Sequence, residues 1–403
     1  MNKNFKKKIL KNGMTVLFEK RDFPVVSVAF AVRQGGINEA AEEKGISHYI
    51  EHMLYKGTKK RTSDQIAGEI EKNGGEMNGF TGETMTAFFC KMPSKHLGIA
   101  LDVLGDVVRN AVFDKKELDK ERKVIFEEIK MRRDMPPYYL GDKIQGFLYE
   151  APLGLDLIGT EKTMNLITRE KIVAKFKEVY QPHNMVLAVV GNVNFEEIVR
   201  FAEKNFKFGK GKLKEFKVKK KNYFKIEKRK GIDQANLMLA FHSPLAGDSK
   251  NYAAKVLSAL MGRGLSSRLI REIRDKRNLV YSIGSHCEIT WDYGYTAIYA
   301  GTPKEKVEEV KKLILEEFEK VANSLDEKEL DQVKEQLVGN YHIGVEDSQV
   351  QLLDLLHYEI DNRNVKGLYE YEKNIRKVQL KEVKELASRV KEGNYSFLAL
   401  VPE

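Results

Sequence analysis

The sequence predicts an α+β protein: two homologous α/β domains, each a largely antiparallel sheet packed with helices. Short apolar or alternating runs are interspersed with long, charged amphipathic stretches in both halves, as expected of sheets covered by helices. Segments of the first half return in the second at a nearly constant offset, which marks an internal duplication. A length of 403 residues suits two units of about 200 residues each.

The strand-like runs fall at 15–18, 25–32, 84–92 and 185–190 in the first half, and at 235–241, 295–300 and 395–401 in the second. The repeats support the same division. Asp114-Lys115-Lys116-Glu117-Leu118-Asp119 returns 212 residues later as Asp326-Glu327-Lys328-Glu329-Leu330-Asp331. Thr86-Ala87-Phe88-Phe89 returns 210 residues later as Thr296-Ala297-Ile298-Tyr299, and 184–190 returns as 394–400. Between the halves, 207–221 holds eight lysines and one acid, the composition of a solvated linker. The expected domains are therefore 1–206 and a homologous 222–403, joined by that linker.

The chemistry is read from His48-Tyr49-Ile50-Glu51-His52. A helix over 41–56 puts Ile46, Ile50, Met53 and Leu54 on one apolar stripe and His48, Glu51, His52 and Tyr55 on another. Imidazoles at i and i+4 can aim nitrogens at a single ion, with Glu51 beside them to take a proton from a metal-activated water. A third ligand distinguishes a site from two surface histidines. In 116–129, Leu118, Glu121, Ile125 and Glu128 share one helical stripe, and carboxylates on an inward-looking stripe need a partner. Glu128 is the expected third ligand, and Glu121, two turns earlier, the group that orients a histidine. Glu127 faces about 100° away and ranks below Glu128.

His48-Tyr49-Ile50-Glu51-His52 followed by Glu121 and Glu128 resembles the inverted zinc motif of the pitrilysin/insulinase metallopeptidases, the inverzincins. The 76 residues from His52 to Glu128 match that family's spacing. The resemblance covers nearly the whole chain and is closest to the short, two-domain, processing-peptidase-like members. Asn78-Gly79-Phe80-Thr81, Pro152-Leu153-Gly154 and 180–185 carry further likeness. Gly79 stands where alanine is usual, and Ala151 where a histidine often precedes Pro-Leu-Gly. Arg274 and Tyr281 resemble the family's Arg and Tyr pair, which reaches from the non-zinc half to the substrate. Without that resemblance, a surface arginine and a core tyrosine would be the better reading. The second copy has no such zinc motif: Glu128 maps to Asn340 and Glu121 to Val333.

The lysine-rich segment accounts for +7 of the net charge of +10, so the basicity is local and no nucleic-acid partner is expected. The basic residues 1–12 are followed by no apolar signal core, and no run is long enough to span a membrane, so a cytoplasmic location is expected. Cys90 and Cys287 are lone cysteines without a disulfide framework. Gly262-Arg263-Gly264-Leu265-Ser266-Ser267 lacks the ending of a phosphate loop. The remaining six histidines have no metal spacing.

The expected function is a zinc metalloendopeptidase acting on peptides or unfolded segments. Zn2+ would be held by His48, His52 and Glu128, with Glu51 as general base and Arg274 and Tyr281 acting on the substrate. The strand at Thr86, Ala87, Phe88 and Phe89, with Asn78 nearby, is the expected edge onto which a peptide adds. The resemblance implies a homodimer enclosing the cleft, or a heterodimer with an inactive homologue, with Arg274 and Tyr281 acting in cis or in trans. Two alternatives are a catalytically silent, core-subunit-like scaffold of the same fold and a metal-dependent amidase on small substrates.

Overall fold

The computed structural model of the protein describes residues 3–209 and 211–403. Met1 and Asn2 of the basic N-terminal segment and Lys210 of the lysine-rich segment lie outside the described residues. The first half runs β1 (Phe5–Ile9), β2 (Thr15–Lys20), β3 (Val25–Val32), α1 (Ile46–Leu54), α2 (Ser63–Glu71), β4 (Glu76–Thr81), β5 (Thr86–Pro93), α3 (Leu97–Asn110), α4 (Lys115–Asp134), α5 (Pro136–Leu148), α6 (Glu161–Leu166), α7 (Arg169–Val179), β6 (Met185–Gly191) and α8 (Phe195–Asn205). The second half runs β7 (Phe224–Arg229), β8 (Ala235–His242), α9 (Asn251–Gly262), β9 (Ser282–Ile289), β10 (Gly294–Thr302), α10 (Val307–Ser324), α11 (Glu327–Gly344), α12 (Ser348–Ile360), α13 (Lys366–Tyr369), α14 (Tyr371–Arg376), α15 (Leu380–Ser388) and β11 (Ser396–Pro402).

Two sheets result, with strand orders β1-β2-β6-β3-β5-β4 and β7-β11-β8-β10-β9. Apart from the added β1, the second order repeats the first strand for strand. Each sheet is antiparallel except for one parallel pair, β2 with β6 and β7 with β11. The duplication seen in sequence is therefore a duplication of topology.

Both faces of each sheet are covered, which explains why β3 and β6 read as continuous apolar runs. On the first sheet, Val28, Phe30, Phe88 and Leu187 pack against Ile50, Leu104 and Ile198 from α1, α3 and α8 of the same half. The opposite face, with Leu17, Ala29, Ala87 and Ala188, is covered by Leu352, Leu355 and Leu356 of α12, from the second half. The exchange is reciprocal. Leu140, Ile144 and Leu148 of α5 leave the first half to cover Met238, Ala240, Leu398 and Leu400 of the second sheet. Each half thus supplies one layer of the other's core, and burial of these leucines ties the two together.

The lysine-rich segment is fastened at its backbone. The Asn38 side chain donates to the Lys214 carbonyl at 2.8 Å, Lys221 N donates to the Leu148 carbonyl at 2.9 Å, and Val218 packs against the α5 layer. Its described lysine side chains are exposed. No described helix is long and apolar enough to cross a membrane. Cys90 and Cys287 are both free thiols, the first buried and the second half-buried.

Candidate metal centre

The helix α1 is short and its position is fixed from several sides. The buried Glu39 carboxylate accepts from the backbone N–H of Gly45 at 2.8 Å and of Ser47 at 2.7 Å, satisfying donors that the helix start leaves free. Gly45 enters the helix at φ +94°, a conformation open to glycine. Ile46, Ile50, Met53 and Leu54 are buried in the first-half core. The Tyr49 hydroxyl donates to the Leu118 carbonyl of α4 at 2.6 Å, fixing α1 against that helix.

Asp114 caps α4 by accepting from Lys116 and Glu117 N–H groups. Leu118, Glu121 and Ile125 are buried on the face toward α1, Glu128 is half-buried on the same face, and Glu127 is exposed. His48, His52 and Glu128 offer one ligand atom each, all within 4.8 Å of one another. Glu128 Oε2 stands 3.4 Å from His48 Nε2 and 3.7 Å from His52 Nε2. Ligands about 2 Å from a tetrahedral ion lie roughly 3.3 Å apart, so this donor set fits zinc. His52 Nδ1 lies 3.1 Å from Glu121 Oε2, whose other oxygen is 2.7 Å from Lys56 Nζ. With its proton on Nδ1 toward Glu121, His52 would have its Nε2 lone pair free for an ion.

Burial, followed by the neighbouring His52, lowers the His48 pKa to about 4, which keeps the imidazole neutral, as a ligand must be. Burial is the largest single influence on His52 and lowers its pKa, but the neighbouring Glu128, Glu121 and Glu51 carboxylates together make the net shift upward. Glu128 is lowered, first by its hydrogen bond with His52. Burial raises Glu51, which the Thr81 hydroxyl holds through a 2.6 Å hydrogen bond to Oε2. Thr81 lies on β4, which ends the sheet and leaves one edge without a strand partner. Three side chains that could hold a metal, a buried carboxylate and a free strand edge thus converge in one place.

The expected peptide edge requires a correction. Thr86, Ala87, Phe88 and Phe89 lie on β5, which is paired on both sides, with β3 and with β4. Their backbone groups are already used, and all four side chains are buried. The apolar character of this run comes from its interior place in the sheet. The free edge on that side of the sheet belongs to β4, on which Asn78 is exposed. Arg274 and Tyr281 are exposed in the second half, next to β9, an edge strand of the second sheet. Neither side chain makes a hydrogen bond or ion pair with His48, Glu51, His52 or Glu128 among the described residues. Sequence reasoning missed Glu39 and Thr81 as groups that place α1 and Glu51. Thr81 stands within the Asn78 to Thr81 segment already singled out, whereas Glu39 acts through a loop that leaves no periodic signal.

Residues 15–161 match the family model described as Insulinase (Peptidase family M16), and residues 166–337 match the one described as Peptidase M16 inactive domain. A Rickettsia felis protein named as an uncharacterized zinc protease is 34% identical over 344 residues, covering 84% of each chain. The chain belongs to the M16 family of peptidases. A second relative, the uncharacterized zinc protease YmxG of Bacillus subtilis, is 30% identical over 397 residues and 97% of each chain. Among solved structures, a protease from Helicobacter pylori has the same fold at TM-score 0.91 and 23% identity, over 99% of both chains. An M16 inactive domain from Pseudomonas fluorescens has it at TM-score 0.90 and 20% identity, over 99% of this chain and 98% of that one.

Proposed function

We propose that this M16 chain is a zinc-dependent endopeptidase that hydrolyses peptides or unfolded segments. The observation that carries this reading is the convergence of His48, His52 and Glu128 within 4.8 Å, beside a Glu51 that Thr81 of the free-edged strand holds at 2.6 Å. His48, His52 and Glu128 would hold the ion. When bound, zinc polarises a carbonyl and makes water acidic near neutrality.

Glu51 removes the proton from the attacking water and delivers it to the leaving amine. The buried setting that raises its pKa suits both halves of that transfer. Thr81 keeps one carboxylate oxygen engaged, so the other faces the reaction. Glu121 holds the Nδ1 proton of His52 and so fixes that ring's tautomer. The free edge of β4 offers unpaired backbone groups to an extended peptide, binding it with little dependence on sequence. Arg274 and Tyr281 are assigned to substrate contact from the second half, a role supported by their exposed side chains. A second copy of the chain would close the cleft, with the two residues acting within one chain or across the interface. A cytoplasmic site of action is supported by the two free thiols.

The test is hydrolysis of a quenched fluorescent peptide library by the wild type and by Glu51→Gln, with zinc content measured on both. Equal zinc with a rate loss on the order of 10²–10⁴-fold in the variant is expected. If the wild type holds zinc and cuts peptides of no length, the reading is wrong and the silent-scaffold or small-amide reading replaces it.

A further inference from the structure

Gly79 lies two residues before Thr81 on β4, so both face the same side of the strand. That side is turned toward α1. A Cβ placed on Gly79 would stand 2.5 Å from the Tyr55 hydroxyl and 3.0 Å from the Ala87 carbonyl oxygen. The backbone at Gly79 is not in the left-handed region that favours glycine, so conformation does not demand this residue. The space taken by Tyr55 does.

Tyr55, just past the end of α1, follows Glu51 by four residues, a rise of about 6 Å. Two residues along a strand span roughly 6.7 Å. The two repeats nearly coincide, so Glu51 rests on Thr81 while the Tyr55 hydroxyl rests on Gly79. The Tyr55 ring packs against Phe88 of β5, with centroids 5.7 Å apart. Its hydroxyl is buried and makes no hydrogen bond among the described residues, as does that of Tyr180 nearby. A buried hydroxyl without a partner is disfavoured, so hydrogen bonding does not account for a tyrosine here. Contact with β4 does.

We infer that Tyr55 is a positioning residue for Glu51: its hydroxyl, seated in the space left by Gly79, sets the separation between α1 and the free-edged strand β4. The inference rests on the reading of Glu51 as general base. The departure from alanine at position 79 and the tyrosine at position 55 then form one unit. Because β4 would carry both Thr81 and the docked peptide, the same spacing fixes the distance from carboxylate to scissile bond.

The experiment compares Gly79→Ala, Tyr55→Phe and the double variant with the wild type, measuring kcat, KM and zinc content. The added methyl group in Gly79→Ala is expected to push β4 off α1 and lower kcat on the order of 100-fold, with zinc content unchanged. Tyr55→Phe alone is expected to lose about tenfold or less, since only the spacer is removed. In the double variant the methyl group takes the place of the hydroxyl, and kcat should return to about the level of Tyr55→Phe or above. A merely structural role for either residue predicts additive losses. Wild-type kcat in Gly79→Ala, or a double variant no better than Gly79→Ala, would overturn the inference. Should Gly79→Ala not fold, recovery of a folded, active double variant supports the inference and its failure to recover overturns it. If the wild type cuts no peptide, the peptidase reading has failed, and crystal structures then test the spacing alone. The Glu51 to Thr81 hydrogen bond should break in Gly79→Ala and re-form in the double variant, and an unchanged distance in both refutes the inference.

Discussion

The helix pair α1 and α4 of the first half and the pair α9 and α11 of the second occupy corresponding places on corresponding sheets, yet they are built differently. The first pair turns His48, His52, Glu121 and Glu128 toward one another. The second has neither histidine nor carboxylate on α9, and α11 presents Val333 and Leu337 to the core. The two helices also stand differently against their edge strands. At Gly262 on α9, a Cβ would meet Ser285 N at 2.5 Å and the Gly284 carbonyl carbon at 2.9 Å, so helix and edge strand β9 touch backbone to backbone. On the first half, Glu51 and Tyr55 stand between α1 and β4. One frame is therefore built in two ways: packed flush in the second half, and held apart by polar side chains around the candidate site in the first. Buried imidazoles and carboxylates need partners, and the α9 and α11 pair avoids that cost by having none at this interface.

Removing a ligand should erase the difference between the halves most completely. His48→Ala is expected to lose bound zinc and all peptide hydrolysis while keeping its circular dichroism spectrum, as checked by metal analysis and the fluorescent assay. Introducing a carboxylate where the second half has none tests the cost of such groups. Val333→Glu would bury a charge without its histidine and destabilise the chain by about 3–5 kcal/mol, whereas Val333→Leu should be nearly neutral, both measured by denaturant unfolding. The reciprocal exchange of α5 and α12 predicts that damage to one half's helix is felt in the other half's sheet. Ile144→Ala should cost about 2–5 kcal/mol and raise amide exchange in β8 and β11, with little change in β3. Loss confined to the first half would refute the exchange.

Two smaller effects sharpen the picture of the site. Glu121→Gln keeps a side chain within reach of His52 but weakens its hold on the Nδ1 proton, and zinc affinity should fall about 10–100-fold in a chelator competition. Glu83 is buried beside Lys44 at 3.5 Å, and burial pushes its pKa up to about 7 from an ordinary 4.5. The folded chain holds that proton more tightly than the unfolded chain, so the stabilisation is complete below about pH 4.5 and is lost as pH rises through 7. Glu83→Gln should flatten the fall in stability between pH 5 and 8 by on the order of 2 kcal/mol, read as denaturation midpoints across pH.

The duplication, the mixed architecture and the stripes bearing His48, His52, Glu121 and Glu128 were legible in the sequence because helical periodicity and repetition are local properties. Residues four or seven apart on a helix share a face wherever that helix lies. The donor set could therefore be read before its two helices were seen together. Strand order is another matter. The run at Thr86 to Phe89 is apolar because it lies inside a sheet, and nothing within the run says which neighbours saturate its backbone. That placed the free edge on β5 in the sequence reading, whereas the fold gives it to β4. Likewise, Glu39 capping α1, Thr81 holding Glu51, and the contact of Tyr55 with Gly79 join residues from separate elements. So does the passage of α5 and α12 across the molecule. The sequence by itself determined which side chains could bind a metal. The tertiary structure decided where they meet, which strand is left at the edge beside them and what holds Glu51 in place, because those depend on contacts that chain connectivity alone does not specify.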